Sequence, residues 1–317
     1  VRLKGQLNYH NWWKSFILGL LALGAGGSIG PEASTTVLTS SMINWLGDRM
    51  RWATLMRQKV SLWYGKMQTQ DLARAPRFSQ LFKSKYQRIL VISGLVGIGI
   101  IGTAIVFKLF PEEGAFGIHE RPIHWSWTIL WYSLIPLIGG MLFAYFFLYL
   151  EKIFTRVETW ALPALLKATL WGIVLSVLTL VTDYALFSGE FHIVPFSKTA
   201  LSYSPLFFFF FALIKTISTH VGFAMGWRGG KIFPAIFASV AVGAAIAQFI
   251  PIQPAITVSL AVVASITIIL EKPLLTAILL IFLLPISLAP LIFITAYIVM
   301  VIHKFLLKKI GLKSLIY

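Results

Sequence analysis

The sequence predicts an all-α, polytopic membrane protein with broken and re-entrant helices, and three observations carry that prediction. The first is composition: of 317 residues, 58% are hydrophobic and 12% charged, where a soluble domain carries about 25% charged residues. Mean hydropathy is +0.82. A soluble chain of this size needs far more polar surface, a need that lipid as solvent removes. The second is the length of the uncharged runs. Ile89–Phe107, Pro122–Leu150, Ile232–Leu270 and Pro273–Ile302 contain no Asp, Glu, Lys or Arg. About 20 apolar residues cross the hydrocarbon core as a helix, so the two longest runs each hold more than one helix. The third is texture: Ile, Leu, Phe and Val come in continuous blocks, not in the period-2 alternation of a membrane barrel.

Taken in order, Leu3–Lys14 is amphipathic and aromatic, suited to a membrane interface through Tyr9, Trp12 and Trp13. Ser15–Gly30 is apolar and rich in glycine, and short for a span. A helix is expected over Pro31–Leu46, starting at a Gly-Pro break. Further helices are expected at about 89–110, 126–150, 161–187, 203–225, 233–250, 254–270, 273–287 and 289–309. Breaks are predicted at Pro136–Gly140, at Gly229–Gly230 and at Pro285. A broken helix is tolerated in lipid where its freed backbone groups are buried or line a cavity. Transporters use such breaks to aim half-helix N-termini at anions. The expected organisation is a first region over 1–48, a basic polar segment outside the bilayer over 49–88, and a membrane helical domain over 89–317.

The formal net charge is +16. Arg49 to Arg88 holds ten Lys or Arg against a single acid, Asp71, and the tail adds Lys304, Lys308, Lys309 and Lys313. Because these bases lie outside the apolar runs, the charge reads as the positive-inside rule at a cell membrane, not as a nucleic-acid surface. The excess also makes a field that draws anions toward a pore. There is no cysteine, which excludes disulfides and thiolate metal sites. The scattered histidines suggest no metal centre, and no nucleophile–base pair, cofactor fingerprint or dinucleotide context suggests an enzyme.

Two constellations carry the function. Gly26-Gly27-Ser28-Ile29-Gly30-Pro31-Glu32-Ala33-Ser34 is a glycine turn leading into a helix start. Pro31 suits a first helical turn. The amides that follow point outward with positive partial charge, an anion site made from backbone alone. Glu32 lies in the same turn, so its carboxylate is placed to occupy the anion's position and to leave when protonated. An acid near a helix N-terminus is ordinary stabilisation in a soluble helix; within apolar membrane sequence it is a functional candidate. Gly226-Trp227-Arg228-Gly229-Gly230-Lys231-Ile232-Phe233-Pro234-Ala235 repeats the pattern in the other half of the chain. It is followed by Ala238, Ala241, Gly243, Ala244 and Ala245, small residues that let helices pack closely.

These segments resemble the motifs of the CLC chloride channel and transporter family. Gly30-Pro31-Glu32-Ala33 resembles the motif in which a gating glutamate follows a glycine at a pore helix start. Gly229-Gly230-Lys231-Ile232-Phe233-Pro234 resembles the family's Gly-Gly-x-Phe-x-Pro anion motif, with the Phe displaced by one place. Glu271-Lys272-Pro273-Leu274-Leu275-Thr276-Ala277 resembles a later Pro-Leu-Thr-Ala stretch, and Phe187-Ser188-Gly189-Glu190 sits where the family has a Gly-Ser-Gly turn. The resemblance covers about residues 15 to 310. It implies an inverted-repeat architecture, transport of chloride or a similar small anion (with protons in the antiporter members), no cofactor, and a homodimer with one pore per subunit. It also implies Glu32 as the gate. The anion would be held by backbone around Gly30, Pro31, Glu32, Ala33 and Ser34 and around Gly230, Lys231, Ile232 and Phe233, with Tyr317 as the pore tyrosine.

The sequence departs from the family in two places. The earlier Gly-Ser-Gly-x-Pro motif is not in the chain, so the natural protein is expected to extend before Val1. The Gly/Ala-rich helix pair after the gating helix is replaced by the basic segment, where Asp71 is the one acid in the place of the proton-relaying glutamate. Two other readings fit these residues. One is a broken-helix transporter for a larger organic anion. The other is a non-transporting scaffold subunit of a membrane assembly.

Overall fold

The computed structural model describes residues 12–55, 84–109, 125–158, 162–189 and 203–309. Asp71, Glu190, Lys313 and Tyr317 lie outside the described residues, as does most of the basic segment. The described elements are helices α1 (Trp12–Gly24), α2 (Glu32–Leu55), α3 (Lys85–Leu109), α4 (Trp127–Tyr132), α5 (Leu134–Glu158), α6 (Ala164–Thr179), α7 (Pro205–Ala224), α8 (Ile232–Ala247), α9 (Pro254–Leu270), α10 (Pro273–Ile281) and α11 (Ala289–Lys309), with 3-10 turns at Asp183–Ala185 and Ile286–Leu288. No strand occurs among them, and the expected all-α membrane architecture is the one observed. Among the described residues, five stretches are long and apolar enough to cross a bilayer: Lys85–Gly102, Trp127–Arg156, Ala164–Val181, Pro205–Ala224 and Ile286–Lys309.

Two compact units make up the chain, residues 1–17 with 35–112 and residues 18–34 with 113–317. Within the first unit, α2 runs to Leu55, nine residues past the expected Leu46 and into the basic segment. Its polar end is organised by Arg49, whose guanidinium lies over the rings of Trp45 and Trp52 at 5.5 and 5.6 Å. The same turn holds an Asp48–Arg51 ion pair at 3.1 Å. Apolar side chains of α3 such as Ile89, Leu90, Ile98, Ile100, Ile105 and Leu109 are exposed, as suits a helix with lipid for solvent.

The second unit is built around α8 and α9. In α8 every residue from Pro234 to Ala245 is buried, and in α9 every residue from Ile256 to Ile269. A helix apolar on all sides belongs inside a bundle. α8, at 16 residues, is about 24 Å long, less than the ~30 Å of the hydrocarbon core. The two helices pack on each other and are flanked by α5, α7 and α11. Small residues set these distances. A Cβ at Gly243 would stand 2.7 Å from the Val258 Cα. A Cβ at Gly140 of α5 would strike the Ala261 carbonyl of α9, and Ser265 Oγ lies 3.0 Å from the Gly140 oxygen.

One expected break is displaced. The helix over 126–150 is interrupted at Ser133, between α4 and α5, and continues unbroken through Pro136, Gly139 and Gly140 to Glu158. The reason is positional: with α5 starting at Leu134, Pro136 falls in the first turn, where the N–H it lacks has no helical acceptor. The two glycines serve α5–α9 packing. The expected helix over 161–187 likewise ends at Thr179, where the chain turns into the 3-10 segment Asp183–Ala185. The break at Gly229–Gly230 falls where expected, whereas the helix expected over 273–287 with a break at Pro285 already ends at Ile281.

Candidate functional site

The site is made by two copies of one local design. α1 ends at Gly24 and α7 at Ala224. Two residues on, Gly26 and Gly226 take φ of +78° and +93°, the left-handed conformation that glycine adopts without steric cost at a helix C-terminus. The caps are bonded alike: Gly27 N–H donates to the Ala22 carbonyl, and Trp227 N–H to the Gly222 carbonyl, both at 3.0 Å. Each turn then leads to a helix start, α2 at Glu32 and α8 at Ile232. Pro31 sits immediately before α2, one place ahead of the expected first turn, and Pro234 lies in the first turn of α8.

The two turns meet. Gly30 N–H donates to the Gly230 carbonyl at 2.7 Å, and Gly230 N–H donates back to the Gly30 carbonyl at 2.6 Å. This is the one isolated β-bridge among the described residues. Side chains interleave on both sides of it. The Trp227 ring covers Gly27, and Ile29, 1% exposed, fills the space over Gly229. A methyl group at either bridging glycine would collide with the Glu32 carboxylate, so glycine is required at both positions for that carboxylate to fit.

Glu32 Oε1 accepts a hydrogen bond from the Phe233 amide at 2.5 Å. A carboxylate at the start of the helix after one turn thus rests on an amide in the first turn of the helix that follows the other. Helix N-terminal amides carry positive partial charge, and a negative oxygen is the group they favour. Gly30, Pro31, Glu32, Gly230, Lys231 and Phe233 therefore come together. Ala33 is exposed, the Ser34 side chain packs on Gly19 of α1, and Ile232 leans on the hydrophobic core.

Three further groups surround the turns, none of them singled out from the sequence. Lys215 of α7 is fully buried, and its Nζ donates to the carbonyls of Tyr184, Leu186 and Phe187 at 3.2, 2.9 and 2.5 Å. The loop it gathers reaches the site, because Phe187 N–H donates to the Gly26 carbonyl at 3.0 Å. Phe187 itself holds a φ of 54°, an uncommon conformation for a side chain of its size. Ser28, inside the first turn, hydrogen-bonds Ser218 and Thr219 of α7 at 3.0 and 3.2 Å. Glu151 of α5 receives the Lys231 ammonium at 2.5 and 2.6 Å. The signal for Lys215 was legible: a cation within Pro205–Ala224, a stretch otherwise free of charge, is an intramembrane ionisable group that needs partners.

A chain whose described residues are helical, hold five apolar spans and repeat a glycine-capped turn is a polytopic membrane protein. Residues 79–303, more than two thirds of the chain, match the family model described as voltage gated chloride channel, and the chain belongs to that family. Anion transport across membranes is what that family does. The matched region includes the second turn; the first is tied to it by the Gly30–Gly230 bridge. Over a shorter stretch the chain is similar to proteins named "Putative ion-transport protein YfeO" from Escherichia coli O1:K1 / APEC, Escherichia coli (strain K12 / DH10B) and Shigella boydii serotype 18. Each is 46% identical over 56 residues, 17% of this chain and 13% of the relative's length.

Proposed function

We propose that the protein conducts a small inorganic anion, of the size and charge of chloride, across the membrane, and that the Glu32 carboxylate gates the pathway. The observation that carries the reading is the bond from the Phe233 amide to Glu32 Oε1. Where a carboxylate oxygen sits on helix N-terminal amides, a halide can sit in its place. Carboxylate and anion would then compete for one position. Protonating Glu32 removes the charge that holds it to the amides, frees the position, and couples a proton to anion entry. The backbone ligands carry no formal charge, which favours binding that is reversible enough for conduction. Two copies of the chain, each with its own pathway, form the proposed assembly, following the family resemblance.

The test is anion efflux from liposomes containing the intact protein, with proton movement followed at the same time. Glu32→Gln, which mimics the protonated acid, is expected to change chloride flux and to abolish any accompanying proton movement. Chloride flux identical in wild type and Glu32→Gln would remove Glu32 from the pathway. Absence of flux from a well-folded preparation of both would overturn the transport reading.

A further inference from the structure

The ammonium of Lys231 occupies a position that the backbone-only account of the site leaves unused. Lys231 is the last residue before α8. Its Cα lies about 3.8 Å from that of Gly230, as adjacent residues do, and the Glu32 carboxylate fills the space where a Gly230 Cβ would stand. The lysine stem is a flexible chain of four carbons, so the carboxylate's position is within reach of its ammonium. Lys231 Nζ instead points to Glu151, at 2.5 and 2.6 Å from the two oxygens.

As a fastening between α5 and α8 this ion pair is weakly motivated. Both side chains are about a third exposed, 32% and 33%, and exposed pairs contribute little to stability. The helices are already joined through the apolar core that includes Phe147, Ala235 and Ile236. Glu151 nonetheless belongs to the interior side of α5. It follows Phe147 by one helical turn, and the Phe147 ring meets the buried His220 ring edge-on with centroids 4.4 Å apart.

We propose that Lys231 is a direct ligand of the transported anion and that Glu151 is the internal competitor that holds the ammonium when the anion is gone. This rests on the anion reading of the site given above. An anion seated in place of the Glu32 carboxylate would have the Phe233 amide on one side and the ammonium of the same turn on the other. Glu151 would weaken that binding by offering the ammonium an alternative partner. A conducting site needs such weakening, because an anion held by amides and an undivided ammonium leaves slowly. Lys231 and Glu151 together would set how tightly, and hence how selectively, anions are held.

The sign of the effect separates this role from a structural one. Chloride binding is measured by titration calorimetry on the intact, detergent-solubilised protein. Glu151→Gln is expected to tighten chloride binding and Lys231→Met to weaken it, each by about tenfold, the worth of one hydrogen bond to a charged group. The double variant is expected to match Lys231→Met, since Glu151 acts through the lysine. If Glu151→Gln does not fold, Glu151→Asp, whose shorter stem loosens the pair, is expected to tighten binding to a smaller degree. Weakening by both single variants, or no change with Lys231→Met, would overturn the proposal while leaving the anion site in place. Chloride that binds neither the wild type nor Glu32→Gln would overturn the anion reading and this inference with it.

Discussion

Gly30 and Gly230 donate to and accept from each other through both backbone groups, at 2.7 and 2.6 Å. Residues 200 positions apart in the chain thereby share one pair of hydrogen bonds, and the Glu32 carboxylate rests against both. The contact leaves no room for a side chain, and a first prediction follows from that. Gly230→Ala places a methyl group where the carboxylate lies and should drive Glu32 off the Phe233 amide. Because the anion is proposed to take the carboxylate's place, the same methyl group should crowd the anion as well, so chloride flux is expected to fall below that of Glu32→Gln, and the double variant to stay at that lower level. Wild-type flux in a folded Gly230→Ala protein would contradict the proposed gating position.

Lys215 is expected to be among the costliest single residues to replace in the second unit. Lys215→Met keeps most of the volume but strands three carbonyls, and unsatisfied buried groups cost about 1–3 kcal/mol each. A drop in the unfolding midpoint in detergent, together with faster proteolysis around Phe187, is the outcome to look for. Lys215→Arg, whose planar guanidinium cannot reproduce the ammonium's geometry, is expected to fall in between.

The hydroxyl cluster offers a gentler test. Ser28→Ala removes the partner of Ser218 and Thr219. Both still bond the Lys215 carbonyl, at 3.1 and 2.9 Å, so the loss should be about 1 kcal/mol, that of one ordinary hydrogen bond. Ser28→Val, which adds bulk in a site 1% exposed, should cost more than Ser28→Ala; equal midpoints for the two would argue against a tightly packed turn.

Adjacent glycines of α5 should respond differently to the same change. A methyl group at Gly140 meets the backbone carbonyl of Ala261, which cannot move without shifting α9, whereas one at Gly139 meets the far end of the Ile246 side chain. Gly140→Ala is expected to destabilise by about 1–3 kcal/mol, typical of overpacking. Gly139→Ala should cost a fraction of that, because a flexible chain end can rotate away. Comparing the two thermal midpoints checks the α5–α9 interface directly.

The site was legible where chemistry is local and illegible where it depends on register. Gly30-Pro31-Glu32 and Gly230-Lys231-Ile232-Phe233 announce themselves, because glycine, proline and an acid amid apolar residues have few other uses there. That the turns would bond to each other was written in the constant offset of 200 positions between Gly26 and Gly226, and between Gly30 and Gly230, but a spacing alone does not say that two segments touch. Glu151 carried no signal: an acid ending an apolar run reads as a span terminus, and its partnership with Lys231 exists only because α5 continues to Glu158. Pro136 misled for the opposite reason. Its helix-breaking effect depends on where the helix starts, and Ser133, which interrupts α4 and α5, has no marked propensity to do so.

The Gly30–Gly230 bridge also fixes the order in which the protein becomes itself. During synthesis α1, the first turn and Glu32 are made long before residue 230 exists. Closing so long a loop is slow, since its entropy is lost before any contact compensates. Glu32 therefore lacks the Phe233 amide until α8 is made, and the contact between them is among the last parts of the molecule to form. A nascent chain halted before α8 would lack the amide that receives the Glu32 carboxylate in the finished protein.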